Sequence, residues 1–195
     1  MNPPLCRALL LAGLITLPAV LLRAQDAGPG DFDFKLVPST KSLHQGDDVS
    51  VDALVSVRKA GAQGWSYGVT HDAAVLDVTL ATKDGGDVPS VFQNGFEQTA
   101  IITENGKNVG WMQAVILSLT DPKELPVKDG FVMAKSTYKV LSGICGGKTE
   151  VPTSIAFTDK IVPSPGSPAV DINVTVNGKA IIPAVLQAGD LSIQC

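Results

Sequence analysis

From Asp31 onward, apolar residues recur at every second position. Phe32, Phe34 and Leu36 alternate with Asp33, Lys35 and Val37. Val49, Val51, Ala53, Val55 and Val57 alternate with Ser50, Asp52, Leu54 and Ser56. Trp65, Tyr67, Val69 and His71 alternate with Ser66, Gly68 and Thr70. A period of two puts neighbouring side chains on opposite faces of an extended chain, so each run predicts a strand with one buried face. Further apolar segments lie at 75–81, 109–119, 131–141, 155–157, 170–176, 180–186 and 191–193. Turn signals separate them, among them Gln45-Gly46-Asp47, Asp84-Gly85-Gly86-Asp87, Asn94-Gly95, Asn105-Gly106, Lys128-Asp129-Gly130 and Asn177-Gly178. No stretch sustains a period of 3.6, and 121–125 has room for one helical turn. About nine to ten short strands at this spacing predict an all-β fold, an antiparallel β-sandwich of jelly-roll type. Pro163-Ser164-Pro165-Gly166-Ser167-Pro168 reads as a stiff loop inside that domain, because too few residues follow it for a second one.

The first residues follow a different rule. The stretch 8–22 carries no charge, follows Arg7, and is followed by Arg23 and the small Ala24. A basic start, a short apolar core and a small-residue exit predict a secretory signal peptide over residues 1–24, with 25–195 as a single mature domain. The apolar stretch is short of the ~20 residues a membrane span needs, and Pro18 interrupts it. The expected location is outside the cell or at its surface, with no membrane insertion once the signal is cleaved. Cys6 precedes the apolar core and leaves with the signal, so it implies no lipid anchor. Loss of Arg7 and Arg23 takes the net charge from −4 to about −6. A mildly acidic domain without a basic cluster is a poor binder of nucleic acid.

Cys145 and Cys195 remain in the mature chain. An even count in an exported protein favours a disulfide between them, with free thiols or an intermolecular link as the alternatives.

Several short motifs suggest chemistry. Gly64-Trp65-Ser66-Tyr67-Gly68 fits the nucleophile-elbow pattern, but the alternation runs on to His71, which puts Ser66 inside a strand rather than at a strand-to-helix turn. The run 143–149 approaches a phosphate loop, one residue short and with no helix to follow. His44 and His71 are the only histidines, and no Cys/His spacing suits zinc. No catalytic site is expected. The acidic turns, Asp84 and Asp87 above all, could offer oxygens to calcium, the one cofactor the residues suggest; turn residues held by their own backbone are the plainer reading. Trp65 and Tyr67 share the Val69 face and are expected in the core. The ligand-binding candidates are Ser66 and Thr70 on the opposite face, and Trp111, whose indole could join an aromatic platform for sugar rings. Asn173-Val174-Thr175 is a glycosylation sequon, meaningful only in a eukaryotic secretory host.

In order along the chain, several motifs resemble the cohesin module. Gln45-Gly46-Asp47-Asp48-Val49-Ser50-Val51 is similar to its opening strand. Gly64 to Val78, passing through His71-Asp72-Ala73-Ala74-Val75-Leu76, is similar to its next strand and the turn beyond. Lys128-Asp129-Gly130 is similar to a later strand entry, and Gly189-Asp190-Leu191-Ser192-Ile193 to its last strand. The resemblance spans about residues 32–193. It implies a cohesin-like β-sandwich and a non-catalytic exported binding or surface-assembly role, with a dockerin-like or other extracellular protein as partner. Cohesins of cellulosomes present an Asn and an Asp to dockerin from the strand matched here by Gly64 to His71; Gly64 and Ser66 stand in those places. Cys145 and Cys195 are not part of the family pattern. A carbohydrate-binding module using an aromatic platform, with polysaccharide as ligand, is the alternative.

Overall fold

The computed structural model describes residues 27–195; the expected signal segment, residues 1–24, lies outside them. Two short 3-10 turns, Pro29–Asp31 and Val88–Ser90, are the only helical elements among the described residues. The strands are β1 (Phe32–Pro38), β2 (Ser42–His44), β3 (Asp48–Val57), β4 (Ala62–His71), β5 (Leu76–Thr82), β6 (Phe96–Glu104), β7 (Lys107–Ile116), β8 (Lys128–Val140), β9 (Glu150–Thr158), β10 (Asn173–Val176), β11 (Lys179–Ile181), β12 (Val185–Gln187) and β13 (Gly189–Gln194). The first sheet runs β12-β1-β3-β8-β5. In the second, β7 lies between β6 and β4, while the other edge of β4 is shared: β10 takes its first half and β9 its second. The sheet continues through β10 to β11 and through β9 to β13 and β2.

This is the expected all-β sandwich, with two differences. Pairing is not wholly antiparallel: β12 lies parallel to β1, and β2 parallel to β13, where the last segments return beside the first ones. The strands also exceed the expected nine to ten. Pro183 divides the 180–186 run into β11 and β12, and β2 and β6 carried no clear period. β6 holds Glu97, Gln98, Thr99 and Glu104, the polar composition of an edge strand. Residues 121–125 form no helical turn.

Alternation sets the core. Phe32, Phe34 and Leu36 of β1, and Val49, Val51, Ala53, Val55 and Val57 of β3, are all buried between the sheets. Asn105-Gly106 and Asn177-Gly178 close the β6–β7 and β10–β11 hairpins with positive φ at both residues, 50° and 77°, and 49° and 74°. Such turns match the right-handed twist of the strands they join, and Asn-Gly tolerates them best. Cys145 and Cys195 form the disulfide, with Cα atoms 5.8 Å apart across 50 residues of sequence. In the loop-closure account that linkage is worth about 4 kcal/mol, and it fastens the end of β13.

Candidate functional site

β4 and β7 pair along most of their length, from Gly64 opposite Ile116 to Thr70 opposite Gly110. Their inner faces carry Trp65, Tyr67, Trp111 and Gln113, all buried. Gln113 joins the two sheets. Its Oε1 accepts from Trp65 Nε1 at 2.8 Å and from the Tyr67 hydroxyl at 2.9 Å, and its Nε2 donates to Met133 O on β8 at 3.1 Å. Trp111 Nε1 donates to the Tyr138 hydroxyl at 2.8 Å. Burial pushes both phenols, Tyr67 and Tyr138, well above their ordinary value, so both stay neutral. The expectation for Trp111 is therefore corrected. Its ring is 0% exposed and Trp65 only 2%, and rings sealed in the core cannot stack on a sugar. Ring size and a hydrogen-bonding tip suit both a core and a platform; only the facing sheet decides between them.

The outer face of the same strands has two unlike ends. At the Thr70 end the segment 159–172 leaves β9, crosses β4 and β7 toward the end of β6, and returns to β10. Ile161 and Val170 of this strap pack with Ile102 and Met112 in a second small core. Val170 N donates to Ile161 O at 2.9 Å and holds the strap's two legs together. Gly68 and Gly110 make room beneath it: a Cβ on Gly110 would meet Val69 O at 2.1 Å and Ile161 Cδ1 at 2.9 Å, and one on Gly68 would meet Thr158 O at 2.7 Å and the Ile161 side chain at 3.0 Å. The Pro163–Pro168 loop expected from the sequence is the tip of this strap.

The other end is open. Gly64 is buried and again has no room for a side chain, since a Cβ would meet Val115 O at 2.4 Å, but among the described residues it is backbone, not a strap side chain, that such a Cβ meets first. Its partner Ile116 is 42% exposed, and Phe96, opposite Ile116 on β6, is 46% exposed. Leu119 follows at 67%, tied by its amide to Asn94 O. Ile116 and Leu119 line a groove of about 320 Å³ with Thr120, Pro122, Lys123 and Thr175.

Ser66 and Thr70 do lie on this outer face, half-buried, and their hydroxyls are engaged internally. Ser66 Oγ donates to Asp171 O at 2.6 Å and accepts from Asn173 Nδ2 at 2.9 Å; Thr70 Oγ1 donates to Val109 O at 3.2 Å. Ser66 sits mid-strand, and His71 points from the opposite face of β4, so the two cannot act as nucleophile and base. Asp84 and Asp87 are engaged by different lysines. The Asp87 carboxylate accepts from Lys128 Nζ at 2.8 Å and Val132 N at 2.9 Å, bonds that hold it below its ordinary value. Asp84 is exposed beside Lys83 Nζ at 3.6 Å. No group of three or more His, Cys, Asp or Glu side chains comes together among the described residues. Sequence reasoning missed Phe96 and Ile116, because an exposed apolar residue in a strand reads like a buried one, and Leu119, which belongs to the apolar run 109–119 but lies beyond the end of β7.

No family model and no curated protein matches the chain. Solved structures match its fold. The cohesin of a type I cohesin–dockerin complex from Clostridium thermocellum is 16% identical over 87% of this chain and 99% of that one, with a TM-score of 0.63. The third ScaC cohesin of Acetivibrio cellulolyticus, in complex with the ScaB dockerin, is 17% identical over 84% and 97%, with a TM-score of 0.55. The seventh ScaB type I cohesin of Pseudobacteroides cellulosolvens is 14% identical over 84% and 93%, with a TM-score of 0.53. In fold, the chain is a cohesin-like domain.

Proposed function

We propose that this domain is a non-catalytic, exported protein-binding module that docks its partner on the open end of the outer face of the second sheet. One observation carries the reading. Phe96, Ile116 and Leu119 stand exposed together beside a groove, on a face whose other end is sealed by its own strap. Contiguous exposed apolar surface is costly in water and marks interaction sites. A dockerin-like module is the partner to test first, because solved cohesins of this fold occur in complex with dockerins. Where the family presents polar side chains, Gly64 lies flat and leaves Ile116 uncovered, so the partner should bring an apolar patch rather than a polar one.

The test is binding of the immobilised domain to a panel of type I and type II dockerins in calcium, with insoluble polysaccharides alongside. A dockerin that binds wild type and the Leu80→Asp control, but not Ile116→Asp, supports the reading; Leu80 is an exposed apolar residue on the other sheet. Equal binding by Ile116→Asp overturns the surface. Retention by polysaccharide alone overturns the protein partner.

A further inference from the structure

His71 is the last inward residue of β4. It is 8% exposed, and among the described residues neither ring nitrogen has a hydrogen-bond partner. A buried, unpartnered imidazole calls for a physical account. Its ring stands edge-on to neutral Tyr138 of β8, centroids 5.1 Å apart. Burial lowers its pKa below the ordinary 6.5. Four influences oppose that: the carboxylates of Asp77 on β5 and Asp72 in the turn after β4, and backbone groups of Leu76 and Asn108, which lie near the ring without hydrogen-bond geometry. The turn out of β4 is closed by Leu76 N donating to Asp72 O at 2.9 Å, which brings Asp77 back beside the end of β4. Two cations lie near Asp77: Lys139 of β8 sits opposite it, and Lys107 lines an open cavity of about 350 Å³ with Asp77, Asn108 and Leu141.

Asp77 already has a partner. Asn108 Nδ2 donates to Asp77 Oδ1 and to Val78 O, both at 3.0 Å. These bonds tie the start of β7, in the second sheet, to β5, in the first. They hold the turn end of the β6–β7 hairpin, and the strap is seated on that end through Ile102 and Gly110.

We propose that His71, Asp77 and Asn108 form an acid-sensitive clasp: protonated His71 takes the Asp77 carboxylate from Asn108, which frees the turn end of the hairpin from β5 and loosens the seat of the strap. The proton comes from solvent and no covalent bond changes. In acid the closed end of the outer face then becomes available. The consequence for a partner rests on the docking reading above; the clasp does not.

The linkage has a definite sign. Unfolded, His71 binds a proton at about its ordinary 6.5, and folded only at lower pH. Between those values the unfolded state holds more protons. The stability from keeping His71 neutral is therefore full above 6.5 and is lost as pH falls through the window, with the unfolding equilibrium rising by up to about tenfold per pH unit.

The experiment is a pH titration of the free domain by NMR, with labelled histidine rings and Asn side-chain amides. The expected result is a His71 midpoint below 6.5, a shift of the Asn108 amide with the same midpoint, and faster exchange of amides 100–112 at pH 5.5, after correction for intrinsic rates. His71→Phe should abolish the coupled shifts. Should that variant fail to fold, Asp77→Asn removes the carboxylate that draws the proton and should lower the His71 midpoint further. A midpoint at or above 6.5, an Asn108 indifferent to it, or a midpoint unmoved in Asp77→Asn overturns the clasp. Dockerin binding at pH 7.5 and 5.5 is read separately; failure at both values would sink the docking reading and leave the clasp standing.

Discussion

One sheet face is finished in two ways. At its Thr70 end, Gly68 and Gly110 lie flat and Ile161 of the strap fills the space they clear. At its Ile116 end, Gly64 is packed just as tightly but against backbone alone, and Phe96, Ile116 and Leu119 stand exposed around it. The same local device, a glycine where two strands approach closely, thus gives a sealed patch or a bare one. The difference lies in the connections. Between β9 and β10 the chain is long enough to cross to β6 and back, whereas the 117–127 segment skirts the open end and builds the rim of its groove.

The hardest way to break the comparison is from beneath. Gln113→Leu strips partners from the buried Trp65 and Tyr67 donors and severs the link to Met133, so it should cost roughly 3–5 kcal/mol in denaturant unfolding. A loss under about 1 kcal/mol would mean the amide is no bridge between the sheets. Next come the glycines. Gly110→Ala should cost about 2–3 kcal/mol by forcing Val69 O and Ile161 away. Gly64→Ala meets backbone alone; the part of the Gly110→Ala loss that a second substitution, Ile161→Ala, relieves measures the strap, and no relief would mean that the strap adapts freely. Ile161→Ala should cost about 2 kcal/mol and raise binding of an apolar dye, as the sealed end comes to resemble the open one. Smallest in stability is Ile116→Ser, within about 0.5 kcal/mol, and it should nonetheless abolish partner binding. A large stability loss there would place Ile116 in the core instead.

Much of the sandwich could be read from the chain because strand period is a local property. Phe32, Phe34 and Leu36, and the valines of β3, announce their burial by alternation alone. The cysteine count pointed to the Cys145–Cys195 bond without reference to geometry. β6 escaped because an edge strand needs only one paired neighbour and tolerates Glu97, Gln98 and Glu104. The candidate site was less legible. Trp111 looked free to bind and is sealed. Ser66 and Thr70 were rightly assigned to the outer face, where the sequence could not reveal that Asp171, Asn173 and Val109 engage their hydroxyls. Asp87 showed its charge and hid its commitment to Lys128.

The amino-acid sequence by itself determined which faces are apolar, where the chain turns, and that the strands must close on one another, because each of these is set by neighbours within a few residues. Only the tertiary structure decided which glycine packs beneath a strap and which lies beside exposed apolar residues, which tryptophans are sealed, and that His71 finds no hydrogen-bond partner among the described residues beside the Asn108–Asp77 bond. Those outcomes depend on contacts between residues tens of positions apart, and such distances leave no period in the sequence.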